Sequence, residues 1–137
     1  MSEGQRVHTF PVRIYFEDTD AGGIVYHSRY LNFCERARAE LLRECGIESM
    51  SMMNEHKCGF AVRHAEMDFI KPAHLDEELI IESRLIEMKG ASSKISHLIK
   101  YQNDLLVEIK IVLVCMGHGE RPVRIPDPIR KEMVAWQ

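Results

Sequence analysis

The chain has 137 residues, of which 45% are hydrophobic and 28% charged, and its formal net charge is −3. This length predicts one domain, spanning residues 1–137, with its own core. A weakly acidic chain without a basic block excludes nucleic acid as the main partner. No apolar run approaches the roughly 18 residues that a transmembrane segment requires, and the N-terminus lacks a secretory signal, so we expect a cytoplasmic protein.

The cysteines and histidines show no pattern that is typical of a metal site. None of the four cysteines belongs to a C-x-x-C pair, and the seven histidines include no H-E-x-x-H. Structural zinc and a disulfide framework are therefore not expected, and the thiols are predicted to be reduced and buried or half-buried. The sequence calls for no cofactor.

The first predicted element is a strand. Apolar and polar side chains alternate over residues 8–17, and the alternation ends at two aspartates, Asp18 and Asp20. Gly22 and Gly23 follow and predict a turn. A helix comes next, so the turn would place a carboxylate beside the backbone N–H groups of a helix N-terminus, which have no partner within the helix.

A long amphipathic helix is predicted between residues 28 and 45, where apolar side chains recur every three or four positions. Ser28 is a plausible N-cap and Gly46 a plausible C-terminal glycine. At ~1.5 Å per residue the helix would be roughly 27 Å long, enough to lie across a small sheet. Residues 47–57 lack a clear period, which indicates a short helical turn and a loop.

The second half of the chain predicts strands joined by tight turns. The strands are expected at residues 60–70, 79–87, 94–101 and 105–116, with a short edge at 123–125 and a final helical turn after Pro126. This order indicates an α+β fold with an antiparallel sheet of five or six strands and one long helix. One helix cannot cover both faces of such a sheet. Apolar residues expected on the other face, such as Ile80, Val112 and Val114, therefore predict a homo-oligomer.

Asp20 is the leading candidate for a catalytic carboxylate, because the neighbouring glycines allow the backbone to aim it into a cleft. Asp18 directly follows the strand and is expected to pair locally. An ordinary Asp- and Gly-containing turn is the alternative to a site. A calcium loop that begins at Asp18 is excluded, because its twelfth position, which requires a glutamate, is Arg29.

Three further positions invite a functional and a structural interpretation. His27 is either a histidine that caps the helix or makes a structural hydrogen bond, or a functional residue that orients water or holds the partner of the carboxylate. Cys34 lies on the apolar stripe of the helix, so an inert buried thiol is expected rather than a nucleophile. The turn that contains Lys89, Ser92 and Ser93 is either a plain hairpin or a site for phosphate.

Residues 17–30 (EDTDAGGIVYHSRY) strongly resemble the hotdog-fold acyl-CoA thioesterases of the 4-hydroxybenzoyl-CoA thioesterase family. Within that family the chain is most similar to the bacterial thioesterases associated with the Tol–Pal system. The similarity continues at residues 33–43, 60–63, 71–77 and 112–115, and covers most of residues 8–130. It implies a curved antiparallel sheet wrapped around one long helix, in dimers that often form tetramers.

The resemblance implies hydrolysis of an acyl-CoA thioester to a free acid and coenzyme A, without a metal. The family's catalytic carboxylate falls on Asp20, which would act as general base or as nucleophile, and His27 would hold water or the thioester carbonyl. The aryl-CoA enzymes tend to have a tyrosine at the position of His27, which makes a hydroxybenzoyl substrate less favoured.

The resemblance also suggests the residues that contact the substrate. The acyl pocket would form between subunits and be lined by residues 60–63 of the partner copy. The phosphates of coenzyme A would contact the turn at residues 89–93. The implied substrate-binding residues are Tyr26, Phe60, Val62, Arg63, Lys89, Ser92 and Ser93. Two alternatives remain open: a non-catalytic module that binds acyl-CoA or an acyl-carrier protein, and an enoyl-CoA hydratase. The hydratase would need a paired Asp and His on another loop, which we do not find.

Overall fold

The structure is a computed structural model and describes residues 5–137. Five strands form one antiparallel sheet in the order β1-β3-β4-β5-β2. The strands are β1 (His8–Arg13), β2 (Gly59–Phe69), β3 (Glu78–Met88), β4 (Ser92–Tyr101) and β5 (Asp104–Met116), and the helices are α1 (Arg29–Glu44), α2 (Ser49–His56) and α3 (Asp127–Val134). This architecture confirms the predicted α+β class and the five-stranded sheet.

Helix α1 begins and ends where the sequence predicted. Gly46 has φ +79, and the N–H groups of Gly46 and Ile47 donate to the carbonyls of Arg43 and Leu42, which closes the last turn. Ser28 precedes the helix but its hydroxyl makes no capping hydrogen bond. The buried side chains of the helix are Tyr30, Phe33, Cys34, Ala37, Arg38 and Leu41.

The hydrophobic core lies between α1 and the inner face of the sheet. Alternate residues of β3, β4 and β5 point into it and are almost completely buried, among them Ile81, Ile95, Ile99, Ile109 and Ile111. Each such side chain contributes roughly 1.5–3 kcal/mol of transfer free energy. These strands are therefore stabilised within one copy of the chain.

The outer face of the sheet is more polar than predicted. Lys100 lies 3.0 Å from Glu82, and other ion pairs occur on the same face. Among the expected apolar positions, Val114 is buried and Ile80 and Val112 are half-buried. The prediction of an uncovered apolar face is therefore confirmed only in part.

Strand β2 forms one edge of the sheet and, among the strands of residues 5–137, pairs only with β5. None of its 11 residues is buried, and Val62 and Phe69 are each about half exposed. A change of register between Val62 and His64 marks a β-bulge, which leaves Arg63 without an opposite residue. An edge strand of this length with apolar side chains is an open pairing surface.

Two strand predictions were wrong. The first strand ends at Arg13 rather than at residue 17, because the N–H of Tyr15 donates to the Asp18 carboxylate and draws residues 16–18 into a 3₁₀ turn. Phe16 is consequently 81% exposed. Residues 123–125 form no strand and are held by isolated backbone hydrogen bonds, for example from Val123 N to Cys115 O.

Within residues 5–137, no helix has the length and hydropathy of a membrane span.

Candidate active site

Asp20 lies at the tip of a tight turn between β1 and α1. Thr19 and Val25 form a bridge across this turn, and Asp20 N donates to Ile24 O at 2.9 Å. Gly23 N donates back to Asp20 O, and Gly23 has φ +80, a conformation that favours glycine. The backbone of the turn is therefore fixed by its own hydrogen bonds.

The Asp20 side chain is exposed and only lightly constrained. Its Oδ1 accepts a hydrogen bond from Gly22 N at 2.8 Å, and no described cation lies within ion-pair distance of it. A Cβ at Gly22 would lie 3.3 Å from the same oxygen, so a larger residue would crowd the carboxylate. The remaining oxygen, Oδ2, is available to accept a proton or to approach an acyl carbon.

Asp18 has a structural role, as predicted. It is buried, its Oδ2 accepts a hydrogen bond from Tyr15 N at 2.9 Å, and its Oδ1 lies 3.4 Å from Arg29 Nε. Both oxygens are therefore engaged by the protein. This carboxylate holds the turn against the start of α1, which leaves Asp20 as the free one of the two.

The start of α1 offers unpaired hydrogen-bond donors. Tyr26 N donates to Asp18 O and Arg29 N donates to Tyr26 O, whereas the N–H groups of His27 and Ser28 between them have no protein acceptor among the described residues. The positive end of the helix dipole lies at the same place. Such donors can bind the oxygen of a polarised carbonyl.

His27 lies in a groove of about 360 Å³ at the end of β2. Its ring is 4.5 Å from that of the half-exposed Tyr26 and 6.4 Å from that of Phe69. Tyr30 also lines the groove, and its hydroxyl accepts a hydrogen bond from Ala73 N. Asp20 does not line it. Phe69 was not predicted as a site residue; its position at the end of an exposed strand beside Pro72 was the available signal.

Phe60 and Val62 line a different groove, of about 440 Å³, between α1, α2 and the start of β2. The two predicted acyl-binding positions are therefore together, but at the opposite end of β2 from His27. The same groove contains Arg38, which sequence analysis missed. The signal was its spacing, four residues after Cys34 and four before Leu42, within the apolar stripe of α1.

The predicted phosphate-binding residues form a small polar pocket of about 140 Å³ on the other face of the sheet. It is lined by Arg63, Glu87, Lys89, Ser92, Ser93, Lys94 and Val112. Three of these side chains are cationic, and the one carboxylate, Glu87, lies 3.4 Å from Lys89 Nζ. Arg63 reaches the pocket from the β2 bulge. Clustered Arg and Lys side chains with hydroxyls suit a phosphate group.

The cysteines do not form a reactive centre. Cys34 is fully buried, and burial raises the pKa of its thiol to about 12, which keeps it protonated. The other three cysteines are also buried free thiols. In the part of the chain that the structure covers, no group of three His, Cys, Asp or Glu side chains is arranged to hold a metal ion.

Comparison with known proteins gives a consistent family assignment. Residues 14–136 match the thioesterase-like superfamily. The chain is 37% identical to the acyl-CoA thioesterase YbgC of Haemophilus influenzae (89% of this chain and 90% of that protein) and 38% identical to the acyl-CoA thioester hydrolase YbgC of Escherichia coli (92% of each).

Solved structures agree with this assignment. A probable thioesterase from Bartonella henselae superposes with a TM-score of 0.84 at 35% identity, over 88% of this chain and 100% of that one. A mutant of 4-hydroxybenzoyl-CoA thioesterase complexed with 4-hydroxybenzoyl-CoA superposes with a TM-score of 0.88 over 93% and 99%, and its 22% identity supports the shared fold alone. By its sequence match over nearly the whole chain and by its fold, this protein belongs to the thioesterase-like superfamily and has the hotdog fold.

Proposed function

We propose that this protein hydrolyses acyl-CoA thioesters to a free carboxylic acid and coenzyme A, with Asp20 as the essential carboxylate. The observation that carries the proposal is that the connection between β1 and α1 holds both a free Asp20 oxygen and, seven and eight residues later, the N–H groups of His27 and Ser28, which have no acceptor among the described residues. The YbgC relatives of similar length, named as acyl-CoA thioesterases, support the same substrate class.

In this mechanism the free N–H groups at the start of α1 polarise the thioester carbonyl. A fixed donor of this kind is worth about 3–4 kcal/mol of transition-state stabilisation. Asp20 either removes a proton from the attacking water or attacks the acyl carbon itself to form a mixed anhydride, which water then opens. In both routes the C–S bond breaks and coenzyme A leaves as the thiol. The His27 ring holds the water or the carbonyl.

We also propose that the working enzyme is a dimer paired through β2. A two-fold axis across this open edge would place the start of one β2 against the end of the other. The groove of Phe60 and Val62 in one copy would then adjoin the groove of His27 and Phe69 in the second. In a single copy, Phe60 and Val62 line one groove and His27 and Phe69 line the other, so the dimer would bring the two grooves together.

We extend the proposal to the oligomeric state, the coenzyme A site and the cellular compartment of the enzyme. Two dimers would associate into a tetramer, as the family resemblance implies. The phosphates of coenzyme A would bind the pocket of Arg63, Lys89, Ser92 and Ser93, with an acyl-carrier protein as an alternative acyl donor. The enzyme would act in the cytoplasm, since its four cysteines are free thiols, the form expected in a reducing compartment.

A thiol-release assay tests the function directly. The purified protein is incubated with acyl-CoA and acyl-carrier-protein thioesters of several chain lengths, and the appearance of free thiol is followed. Turnover with acyl-CoA supports the proposal; acyl-CoA binding without thiol release would identify a non-catalytic binding module instead.

Isotopically labelled water distinguishes the two routes. In a single turnover, label in the Asp20 carboxylate would identify the anhydride, opened by water at the Asp20 carbonyl, whereas label in the product acid alone would favour a general base.

A further inference from the structure

The groove between α1, α2 and the start of β2 is suited to a hydrocarbon chain. Its volume of about 440 Å³ is within the usual range for ligand pockets. The apolar side chains of Leu42, Met52, Met53, Phe60 and Val62 form much of its wall. An aliphatic acyl group would find methyl, thioether and aromatic contacts there.

Arg38 breaks this apolar lining. Its side chain is 9% exposed, which makes it one of two buried charged residues in the described part of the chain. The other, Asp18, has Arg29 as its partner at 3.4 Å. Arg38 makes no hydrogen bond or ion pair within residues 5–137. Its guanidinium nitrogens nevertheless keep some accessible surface, so they can be reached from the groove that Arg38 lines.

The surroundings of Arg38 do not neutralise its charge. Burial lowers its pKa, but an arginine remains protonated in proteins. Cys34 on the preceding turn is a protonated thiol, and burial lowers the pKa of the nearby His97 to about 3, so that ring is neutral. Glu35 lines the same groove, and its negative charge raises the pKa of Arg38, but the two side chains lie beyond ion-pair distance. A buried charge of this kind is costly unless an anion pairs with it.

We propose that Arg38 is a specificity-determining residue, which selects acyl groups whose far end carries a carboxylate by pairing with that carboxylate inside this groove. The inference rests on the proposed hydrolysis of acyl-CoA. A guanidinium presents a planar fork of donors that matches a carboxylate, while the apolar walls accept the methylenes between the two ends of the chain.

The position of Arg38 along α1 assigns it to the far end of the substrate. It lies ten residues after Ser28, or roughly 15 Å along the helix at ~1.5 Å per residue, from the N–H groups that polarise the thioester. It therefore cannot contact the reacting carbonyl in its own copy. In the β2-paired dimer the groove opens toward the second copy's His27 groove, which supplies the reacting end.

Two substrates of equal chain length test the proposal: adipoyl-CoA, which ends in a carboxylate, and hexanoyl-CoA, which ends in a methyl group. For the full-length protein we expect a higher kcat/KM with adipoyl-CoA. Arg38→Met should lower kcat/KM for adipoyl-CoA by about 10- to 100-fold, the usual range for a hydrogen bond to a charged group. It should not lower kcat/KM for hexanoyl-CoA, and should raise it if the apolar chain fills the groove, because no unpaired charge is then left beside a methyl group. Arg38→Lys should retain part of the preference.

Arg36→Met is the matched control, because Arg36 lies on the exposed side of the same helix and should change neither substrate. An equal loss with both substrates in Arg38→Met, or a wild-type preference for hexanoyl-CoA, would overturn the selection by Arg38. Should neither variant fold, stabilisation of the wild-type protein by free adipate but not by hexanoate still supports the carboxylate site, and equal shifts refute it. Absence of turnover with every acyl-CoA would instead contradict the hydrolase function itself.

Discussion

Strands β4 and β5 differ from β2 in how much of them a single copy of the chain buries. In β4 and β5 alternate side chains belong to the same hydrophobic core as the buried face of α1, and Ile95, Ile99 and Ile109 have no exposed surface. In β2, which has 11 residues against 10 in β4 and 13 in β5, no residue is buried, and no strand of the described residues pairs with its outer edge. The central strands are therefore complete within one copy, whereas the edge strand is not.

The candidate active site belongs to the incomplete region. His27 contacts Phe69 at one end of β2, and Phe60 and Val62 line a groove at the other end. The central strands hold most of the buried core, and the proposed site lies at the edge and its flanking turns. Substitutions in the two regions should therefore change different observables, and the following experiments test that division.

Asp20→Asn should have the largest effect. It removes the carboxylate that we propose as base or nucleophile, so kcat should fall by about 10²–10⁴-fold while the melting temperature and acyl-CoA binding stay close to wild type. Steady-state thiol release and calorimetry measure the two quantities. Glu17→Gln, which changes an exposed carboxylate near the same turn, is the control and should keep its activity. A rate above about a tenth of wild type in Asp20→Asn would remove Asp20 from its role.

Ala65→Glu tests whether β2 is completed by a second copy. Ala65 is exposed and lies near the middle of β2, so a two-fold axis would bring it close to its counterpart. Two glutamates facing each other destabilise a strand pair. We expect the molar mass measured by light scattering to fall from tetramer to dimer, or from dimer to monomer. The thioesterase activity should fall with it. Lys131→Glu on the exposed surface of α3 should change neither, and an unchanged mass in Ala65→Glu would contradict pairing through β2.

Ile109→Ala should reduce stability without a specific effect on chemistry. The side chain is fully buried in the hydrophobic core, so its removal should cost about 2–5 kcal/mol in the free energy of unfolding, measured by urea titration. Folded protein at low temperature should still hydrolyse substrate. Val134→Ala, at a position 46% exposed on α3, should be close to neutral. A similar loss from both variants would show that β5 is not the stable region.

The buried pair of Ser83 and His97 predicts a smaller, pH-dependent effect. The Ser83 hydroxyl and His97 Nδ1 lie 2.7 Å apart, and burial, with the charges of Arg38 and His8, lowers the pKa of His97 from 6.5 to about 3. Between these values the unfolded chain binds a proton that the folded chain does not, so stability falls as the pH drops below 6.5. The loss should reach about 2 kcal/mol at pH 5.

Urea titrations at pH 7.5 and pH 5 measure this loss. The difference between the two pH values should shrink in His97→Gln and persist in the control, His118→Gln, which changes an exposed histidine. Equal pH dependence in wild type and His97→Gln would show that His97 is not responsible.

Much of the fold could be predicted because it follows from local patterns. The period of α1, the glycine after it and the alternation in β3, β4 and β5 each reflect constraints within a few residues, and all were found. The predictions failed at residues 16–18 and 123–125. There a side-chain hydrogen bond to Tyr15 N and isolated contacts with Cys115 and Gly90 replaced the expected strands.

The sequence by itself determined the strand–turn–helix segment that presents Asp20, since its glycines, carboxylates and helix start interact with near neighbours in the chain. It could not determine that Arg38 is buried or that β2 is open. These depend on α2 and β5, which pack there only after the chain has folded, and burial is a property of all the elements around a residue. Only the tertiary structure therefore separated the grooves of His27 and Phe60 and left a lone guanidinium in one of them.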